Sequence, residues 1–363
     1  MDYPPEKVLE NLLDRLEELA SHSVSVLPDF FIDRIVVTNR SFSELVEDLR
    51  RVAERKGGNI VGVREEIIRG GNAANTASAL GALGVRVYPI LITGRLGKAL
   101  LEYFLAGMPI DLSYVKTWGR ESMTVALETS YNGEKVNIMI SDSGSLECFS
   151  IEHLEERDFE LLERVELVGF FNWAQNKCAN KLLKGIRERV KIQLFLDTSD
   201  PRIVDSRRIS ELIDMLMKGY VDYLSLNENE AVFYAEKLGY KPRGKRLVEE
   251  AYSAAEYLSK HLSVEKIFLH TTRYTAVFPS GEIAGVFKVE PVRVTGAGDT
   301  WNAGVIAGIL LGLKDYEKIV LANSVAACYI TRTDGKHCRV DELRKFLSSD
   351  LRTWSPVLYS NKQ

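Results

Sequence analysis

The sequence contains little cysteine and little histidine, and neither residue type is grouped into a recognisable site. Its 363 residues include four cysteines and five histidines. The cysteines are Cys148, Cys178, Cys328 and Cys338, and no two of them form a paired-cysteine motif. We therefore expect neither a disulfide framework nor a zinc site, and we expect a reducing, cytoplasmic environment.

A strong net charge and a long hydrophobic run are also missing. The net charge is −4 at pH 7, which gives no support for a nucleic-acid or anionic-membrane partner. No apolar run reaches the roughly 18–20 residues that a membrane-spanning helix needs. The first residues, Met1–Glu6, lack the apolar core of a secretory signal. What remains is 45% apolar and 27% charged residues, as in ordinary globular proteins.

Helical and extended patterns alternate along most of the chain. Leucines at three-and-four spacing predict an amphipathic helix within residues 1–23, which would dock on its own domain or on a partner chain. Residues 24–350 read as one α/β domain with a mainly parallel central sheet and helices on both faces. Extended pieces near 24–38, 59–69 and 118–142 predict a small separate β-sheet. Residues 351–363 form a C-terminal tail.

One glycine-rich turn precedes a strongly apolar helix pattern near the end of the chain. Thr295–Asp299 reads Thr-Gly-Ala-Gly-Asp, and the apolar stretch Thr300–Leu313 follows directly. Helix N-termini present unpaired N–H groups and favour anions, so such a turn can bind a phosphate. An aspartate at an anion site is explained if it acts as a base. Taken alone, the pattern fits equally a turn in which Asp299 caps the helix.

Two further turns carry polar groups at the starts of helices. Gly70–Asn75 follows an extended run, and its asparagines could bind sugar hydroxyls, although Asn72 could equally cap a helix. Asn227–Glu230 follows another strand, and its side chains could orient water on a magnesium ion. The same two residues also fit a capping box.

The order of these motifs resembles the ribokinase-like, or PfkB, family of carbohydrate kinases from about residue 24 to about residue 346. Gly70–Ala77 is similar to the first family signature, and Thr295–Gly304 is similar to the second, more specific one. Asn227–Glu230 resembles the family's magnesium-organising motif. The segment Val325–Gly335 resembles its last helix, beside the nucleotide base.

The resemblance implies a role for each matching residue. It makes Asp299 the base that deprotonates a sugar hydroxyl, with the N–H groups of Gly296, Ala297 and Gly298 as an anion hole. Glu230, through water, and Asn227 would organise Mg²⁺, with ADP or ATP as phosphate donor. The small sheet would be a lid over the sugar, and members often pair through it as homodimers. The substrate-binding set is Asp33, Gly70, Gly71, Asn72, Asn75 and Arg120, and the nucleotide-binding set is Asn227, Thr271, Thr272, Arg273 and Asn323.

Two departures from the family pattern bear on cofactor and donor. Arg293 stands where many members carry an aspartate that helps to bind a monovalent cation, so we expect weak or absent activation by potassium. His270–Thr275 resembles the His-Thr-x-x-Tyr stretch of archaeal ADP-dependent sugar kinases. The donor therefore stays open between ADP and ATP.

The acceptor is less determined. Arginine suits phosphate, so a phosphorylated acceptor such as ribose 1-phosphate stays open beside free sugars and nucleosides. The basic residues that would border the pocket are Arg69, Arg95, Lys98 and Arg120.

Two other functions compete with a kinase. A non-catalytic sugar-binding protein on this fold would not need Asp299. A nicotinamide-dependent oxidoreductase would need an early Gly-x-Gly-x-x-Gly followed by an acidic residue, which the chain lacks.

Overall fold

An eight-stranded, mainly parallel sheet forms the centre of the protein. The computed structural model describes residues 5–292 and 294–348. Six neighbouring strands run parallel, and two antiparallel strands extend one edge. In spatial order the strands are β12 (Glu282–Gly285), β11 (Tyr274–Phe278), β10 (Lys266–His270), β9 (Tyr223–Asn227), β8 (Gln193–Asp197), β7 (Leu167–Phe170), β1 (Ser23–Leu27) and β4 (Arg86–Pro89).

Alternate residues of these strands enter two separate hydrophobic clusters. Phe195 and Phe268 belong to one cluster, whereas Leu194 and Leu269 belong to the other. This period of two arises because successive side chains of a strand point to opposite faces. Both faces of the sheet are therefore covered, which confirms the predicted α/β architecture.

The helices divide between the two faces of the sheet. One cluster takes its helical residues from α1 (Pro5–Arg15), α3 (Asn72–Ala82), α4 (Arg95–Phe104), α10 (Ala297–Leu310), α11 (Asp315–Ile330) and α12 (Val340–Ser348). The other takes them from α5 (Glu156–Leu162), α6 (Ala179–Arg189), α7 (Ser206–Met217), α8 (Glu228–Lys237) and α9 (Leu247–His261). The remaining described helix, α2 (Phe42–Glu54), packs on the small sheet.

A second, four-stranded sheet stands beside the first. Its spatial order is β3 (Val63–Gly70), β2 (Phe31–Ser41), β5 (Ser122–Tyr131) and β6 (Glu134–Asp142). The segment 24–38, which the sequence analysis assigned to this sheet, is divided between the two sheets. β1 lies inside the main sheet, and only β2 enters the small one, because the chain turns at Pro28–Phe30 between them.

The N-terminal helix packs on the chain's own domain. Leu9, Leu12 and Leu16 are buried in the cluster that also contains α11. The Arg15 guanidinium donates to the Leu311 carbonyl at 2.7 Å, which ties the end of α1 to the end of α10. Residues 1–4 and the tail 351–363 lie outside the described residues.

One disulfide, which the sequence analysis did not predict, joins Cys328 to Cys338. Cys328 lies in α11, and Cys338 follows the loop after that helix. The expectation that the cysteines form no disulfide is therefore wrong for this pair, and the argument for a reducing environment loses its support. Cys148 and Cys178 are free. None of the described helices combines the length and apolar character needed to cross a lipid bilayer.

Candidate active site

A cleft of about 390 Å³ opens between the two sheets. Its floor is formed at the carboxyl ends of parallel strands, where Asp197 ends β8, Asn227 ends β9 and His270 ends β10. Its other wall is the small sheet, which contributes Asp33 and Thr124. Ligands of open α/β sheets bind at the carboxyl ends of the strands, so this cleft is the candidate active site.

The turn Thr295–Asp299 projects into the cleft at the start of α10. Gly296 has a φ of +82°, a left-handed conformation that glycine adopts without steric cost, and it caps the helix. Asp299 sits in the first turn and is only 9% exposed. Its Oδ2 accepts a hydrogen bond of 2.9 Å from the Asn75 amide. The Oδ1 atom has no hydrogen-bond partner among the described residues.

Burial raises the pKa of Asp299 well above that of an ordinary aspartate. The hydrogen bond from Asn75 and the charge of Arg69 lower the pKa, whereas the charges of Asp197 and Asp29 raise it further. A carboxylate in this setting holds a proton more tightly than one in water. This is the property that a general base requires.

The predicted anion hole is only partly available in this structure. The Ala297 N–H donates to the Val294 carbonyl at 3.1 Å, so that group is turned away from a ligand. The N–H groups of Gly298 and Asp299 have no backbone acceptor among residues 5–292 and 294–348. Gly296 and Gly298 both line the cleft. Of the three predicted N–H donors, those of Gly296 and Gly298 thus lack a backbone acceptor among these residues, and that of Ala297 has one.

A buried aspartate that the sequence analysis did not single out organises the turn at Gly70–Asn72. Asp29 accepts bonds from the N–H groups of Asn72 and Ala73, both at 2.8 Å, and from the Asn172 amide at 2.9 Å. It thereby satisfies the start of α3 from outside the helix. The signal for it was Pro28-Asp29, which interrupts the first extended run.

Asp33 and Gly70 form one unit on the small sheet. A Cβ placed on Gly70 would lie 2.2 Å from the Asp33 carboxyl group, so only glycine lets that side chain lie flat against β3. Burial raises the pKa of Asp33 to about 6, with a smaller increase from the charge of Asp29 and a decrease from the Thr124 hydroxyl. Asp33, Gly71, Asn72 and Asn75 line the cleft as predicted.

The turn at Asn227–Glu230 is a complete capping box. The Asn227 side chain accepts from the Glu230 N–H at 3.0 Å, and Glu230 Oε2 accepts from the Asn227 N–H at 2.9 Å. Asn227 Nδ2 also donates to Glu230 Oε1 at 2.8 Å. Burial and the charge of Asp197 raise the pKa of Glu230 well above its usual range. The capping box is therefore present, and the Glu230 carboxylate also lines the cleft.

Asp197 is a further cleft residue that the sequence analysis missed. Its Oδ2 accepts a bond of 2.6 Å from the amide of Asn302 in α10, whose Oδ1 accepts from Ser225 at 2.6 Å. Burial raises the pKa of Asp197. A strand that ends in aspartate was the available signal.

Several predicted binding residues lie outside the cleft. Arg120 is exposed and ion-paired with Asp142, so it is not positioned to bind an acceptor phosphate. Asn323 is buried, with its amide bonded to Trp301, Thr275 and Gly285.

The predicted nucleotide segment also lies apart from the cleft. Thr271 closes the turn between β10 and β11 through a bond of 2.7 Å to the Tyr274 carbonyl, while Thr272 and Arg273 are exposed. His270 lines the cleft instead, and burial lowers its pKa to about 4. Arg293 lies outside the described residues.

The ionisable side chains of the cleft are mostly acidic. Among the described residues, the ionisable side chains that line it are five carboxylates and His270, without lysine or arginine. The carboxylates are those of Asp33, Asp197, Asp200, Glu230 and Asp299.

Comparisons with known proteins agree with this geometry. The profile of the pfkB family carbohydrate kinases matches residues 38–342. A ketohexokinase of Haloferax volcanii is 25% identical over 94% of this chain and 90% of its own length.

Two solved structures share the fold. An Arabidopsis thaliana ribokinase complexed with ribose and ATP has a TM-score of 0.71 at 18% identity, covering 90% of this chain and 99% of its own. A putative ribokinase II from E. coli, in complex with ATP and magnesium, has a TM-score of 0.66 at 16% identity, covering 90% and 99%.

Proposed function

Since this chain belongs to the pfkB family of carbohydrate kinases, we propose that it transfers a phosphoryl group from ATP or ADP to a hydroxyl of a neutral monosaccharide. The observation that carries the proposal is the Asp299 carboxyl group, buried at the N-terminus of α10 with one oxygen free of partners among the described residues. A side chain used only for capping would be saturated by the helix.

In the proposed reaction, Asp299 accepts the proton of a sugar hydroxyl as its oxygen attacks the terminal phosphorus. The bond to the nucleotide breaks, and the shortened nucleotide leaves with the bonding electrons. The N–H groups of Gly298 and Asp299 stabilise the charge on the transferred group. General-base assistance is typically worth about 10²–10⁴-fold in rate.

The charges of the cleft favour a neutral acceptor. Asp33 and Asn75 line the cleft together with Asp299 and carry groups that can form hydrogen bonds with sugar hydroxyls. A phosphorylated acceptor such as ribose 1-phosphate would add negative charge beside these carboxylates. No described lysine or arginine lines the cleft to offset that charge. Carboxylates and amides suit the hydroxyls of a free sugar.

The described residues contain no group of three or more acidic, histidine or cysteine side chains placed to hold a metal ion directly, so we propose that the cleft carboxylates hold a divalent cation through water. Asp197, Asp200 and Glu230 offer the hard oxygen atoms that Mg²⁺ prefers, and burial, with the charges of Asp197 and Asp200, raises the pKa of Glu230. Both oxygens of Glu230 already accept bonds from Asn227, so we expect it to hold the ion through water. When bound, Mg²⁺ neutralises charge on the nucleotide phosphates.

The small sheet is proposed to act as a lid and as a dimer interface. Asp33 and Thr124 lie on its cleft face. On the opposite face, Ile67, Arg34, Val125 and Ile140 lie in one lateral row, and its three apolar members, Ile67, Val125 and Ile140, are 55%, 36% and 65% exposed. Three exposed apolar side chains around one arginine on this face support the proposal that a second copy covers it.

A substrate panel tests the proposal. Purified protein with Mg²⁺ is given ATP or ADP together with ketohexoses, aldohexoses, pentoses, pentose phosphates or nucleosides, and product is identified by mass spectrometry. We expect a neutral ketose or pentose to give the highest kcat/KM with either nucleotide. A clear preference for a sugar phosphate would contradict the neutral-acceptor part, and a nucleoside preference would replace the sugar.

A further inference from the structure

The Arg69 side chain extends from the small sheet to Asn75, the hydrogen-bond partner of the proposed base Asp299. It lies on β3, one residue before Gly70, and its Nε donates to Asn75 Oδ1 at 3.0 Å. The Nδ2 atom of the same amide donates to Asp299 Oδ2 at 2.9 Å. A flipped amide would set its NH₂ group against the guanidinium and its oxygen against the carboxylate. The guanidinium therefore fixes which end of Asn75 faces Asp299.

A second chain of hydrogen bonds runs from Arg69 to the turn before Asp299. Arg69 Nη2 lies 3.3 Å from Nδ1 of His337, and Nε2 of that ring lies 3.1 Å from the Thr300 hydroxyl. The Thr300 hydroxyl lies 2.7 Å from the Gly296 carbonyl, to which it donates. A guanidinium can only donate, so Nδ1 accepts and the proton resides on Nε2. Every donor in the chain then points towards Gly296.

His337 is held in place for this contact. Its ring is 3% exposed, is stacked on Tyr329 at a centroid distance of 4.6 Å, and precedes the disulfide-bonded Cys338. The Ser78 hydroxyl lies 3.0 Å from Nδ1. Burial and the charges of Arg69 and Arg332 lower the pKa of His337, so the ring stays neutral.

We infer that Arg69 is a positioning residue for phosphoryl transfer. It orients the base through Asn75 and the anion-binding turn through His337 and Thr300. This inference rests on the proposed function, because it assigns meaning to the orientation of Asp299. It also links β3, which carries Gly70 beside the sugar-binding wall, to the start of α10.

The access route to Arg69 allows chemical rescue. Arg69 and Asn75 line a second cavity of about 790 Å³, which Asp33 and Asp299 do not line. In an Arg69→Ala variant this cavity opens onto the vacated site. Guanidinium ion should enter it and restore the bond to Asn75. A residue with a merely structural role would show no such rescue.

The experiment compares Arg69→Ala, Arg69→Lys and the control Arg64→Ala, an exposed arginine on the same strand. We expect kcat of Arg69→Ala to fall about 10–100-fold with KM for the sugar changed about threefold or less, since misplacing a catalytic group lowers kcat. Guanidinium chloride at a non-denaturing concentration should recover several-fold of the loss, with sodium chloride as the ionic control. Arg69→Lys should lie between wild type and Arg69→Ala, and Arg64→Ala should match wild type.

Retention of full kcat in Arg69→Ala, or a loss that guanidinium leaves unchanged, would overturn the inference. If Arg69→Ala does not fold, His337→Gln and His337→Ala replace it. Glutamine can accept from Arg69 and donate to Thr300, so it should preserve kcat, whereas alanine should lower it. Equal kcat in these two variants would also refute the positioning role of the hydrogen bonds that run from Arg69 through His337 and Thr300. Failure of the proposed function is separate, since wild type itself would then show no phosphoryl transfer.

Discussion

Two buried aspartates each lie at the start of a helix, and they differ in the number of hydrogen bonds that they accept. Asp29 faces the start of α3 and accepts three hydrogen bonds of 2.8–2.9 Å from Asn72, Ala73 and Asn172. Asp299 lies inside the first turn of α10 and accepts one, from Asn75. Both are buried, and burial raises the pKa of both, that of Asp29 to about 6. The number of bonds already made, rather than burial, distinguishes them.

A saturated carboxylate cannot accept a proton from a substrate without breaking a bond that holds a turn in place. An unsaturated one can, and its desolvated setting makes it a stronger base. The comparison therefore assigns Asp29 to the architecture of the Gly70–Asn72 turn and Asp299 to the reaction.

The largest effect should come from exchanging each aspartate for asparagine. In Asp299→Asn we expect kcat to fall about 10²–10⁴-fold, because the base is lost while its shape is kept. Sugar binding and the thermal midpoint should stay near wild type. In Asp29→Asn one amide end faces N–H donors, so unfolding free energy should fall by about 1–3 kcal/mol. Steady-state kinetics, calorimetric sugar binding and thermal unfolding measure the three quantities.

The roles assigned to the two aspartates would be wrong if Asp299→Asn lost stability and Asp29→Asn lost only activity. An active Asp299→Asn enzyme would remove the base from the mechanism and favour a sugar-binding protein. An unchanged thermal midpoint in Asp29→Asn would show that the three hydrogen bonds contribute little.

A third carboxylate, Asp33, should make sugar binding depend on pH. Its pKa is raised to about 6, so it is charged and accepts sugar hydroxyl bonds above that pH and is protonated below it. Sugar affinity should therefore decrease as pH falls through about 6. Calorimetry on Asp299→Asn isolates this titration from that of the base. Asp33→Asn should bind about tenfold more weakly at pH 7.5 and lose the pH dependence, since a bond to a charged group is worth about 1.5–3 kcal/mol.

Glu230 tests an intermediate case, because it is saturated within a capping box yet lines the cleft. We expect Glu230→Gln to raise the Mg²⁺ concentration for half-maximal activity about tenfold, since one negative charge beside the ion is lost. The control is Glu236→Gln, an exposed position on the same helix. Equal magnesium dependence in both variants would restrict Glu230 to capping.

The smallest effect concerns the segment just before the Asp299 turn. The resemblance to the family implies that Arg293 stands where many members carry an aspartate that helps to bind a monovalent cation, and a guanidinium cannot ligate potassium. Replacing sodium by potassium at constant ionic strength should change kcat less than about twofold. A large activation would contradict this prediction, and Arg293→Asp is the variant expected to introduce it.

Local patterns predicted most of the elements, and tertiary contacts decided their grouping. The dipeptide Asn132-Gly133 is a sequence signal for a hairpin turn, and both residues adopt the positive φ values that such turns need, between β5 and β6. The sequence could not predict that residues 24–38 divide between two sheets, because strand propensity carries no information about which sheet a strand joins. The disulfide was likewise hidden, since Cys328 and Cys338 meet only through the path of the loop after α11.

The site shows the same division. Asp299, Gly71 and Asn75 lie in the cleft because motif spacing fixes them relative to helix starts, whereas Asp33 lies there because β2 carries it on the cleft face of the small sheet. Asn323 does not, because its amide is consumed by neighbours from three other elements.

By itself the sequence determined which helix would carry a carboxylate at its N-terminus, because glycine spacing and apolar periodicity act over a few residues. It determined the family for the same reason, since several such local signals occur in order. Only the tertiary structure decided which polar groups are already paired. It also decided which arginine contacts the hydrogen-bond partner of Asp299 and which arginines stay at the surface. Hydrogen-bond saturation depends on partners distant in the chain, as Arg69 and His337, 268 residues apart, show.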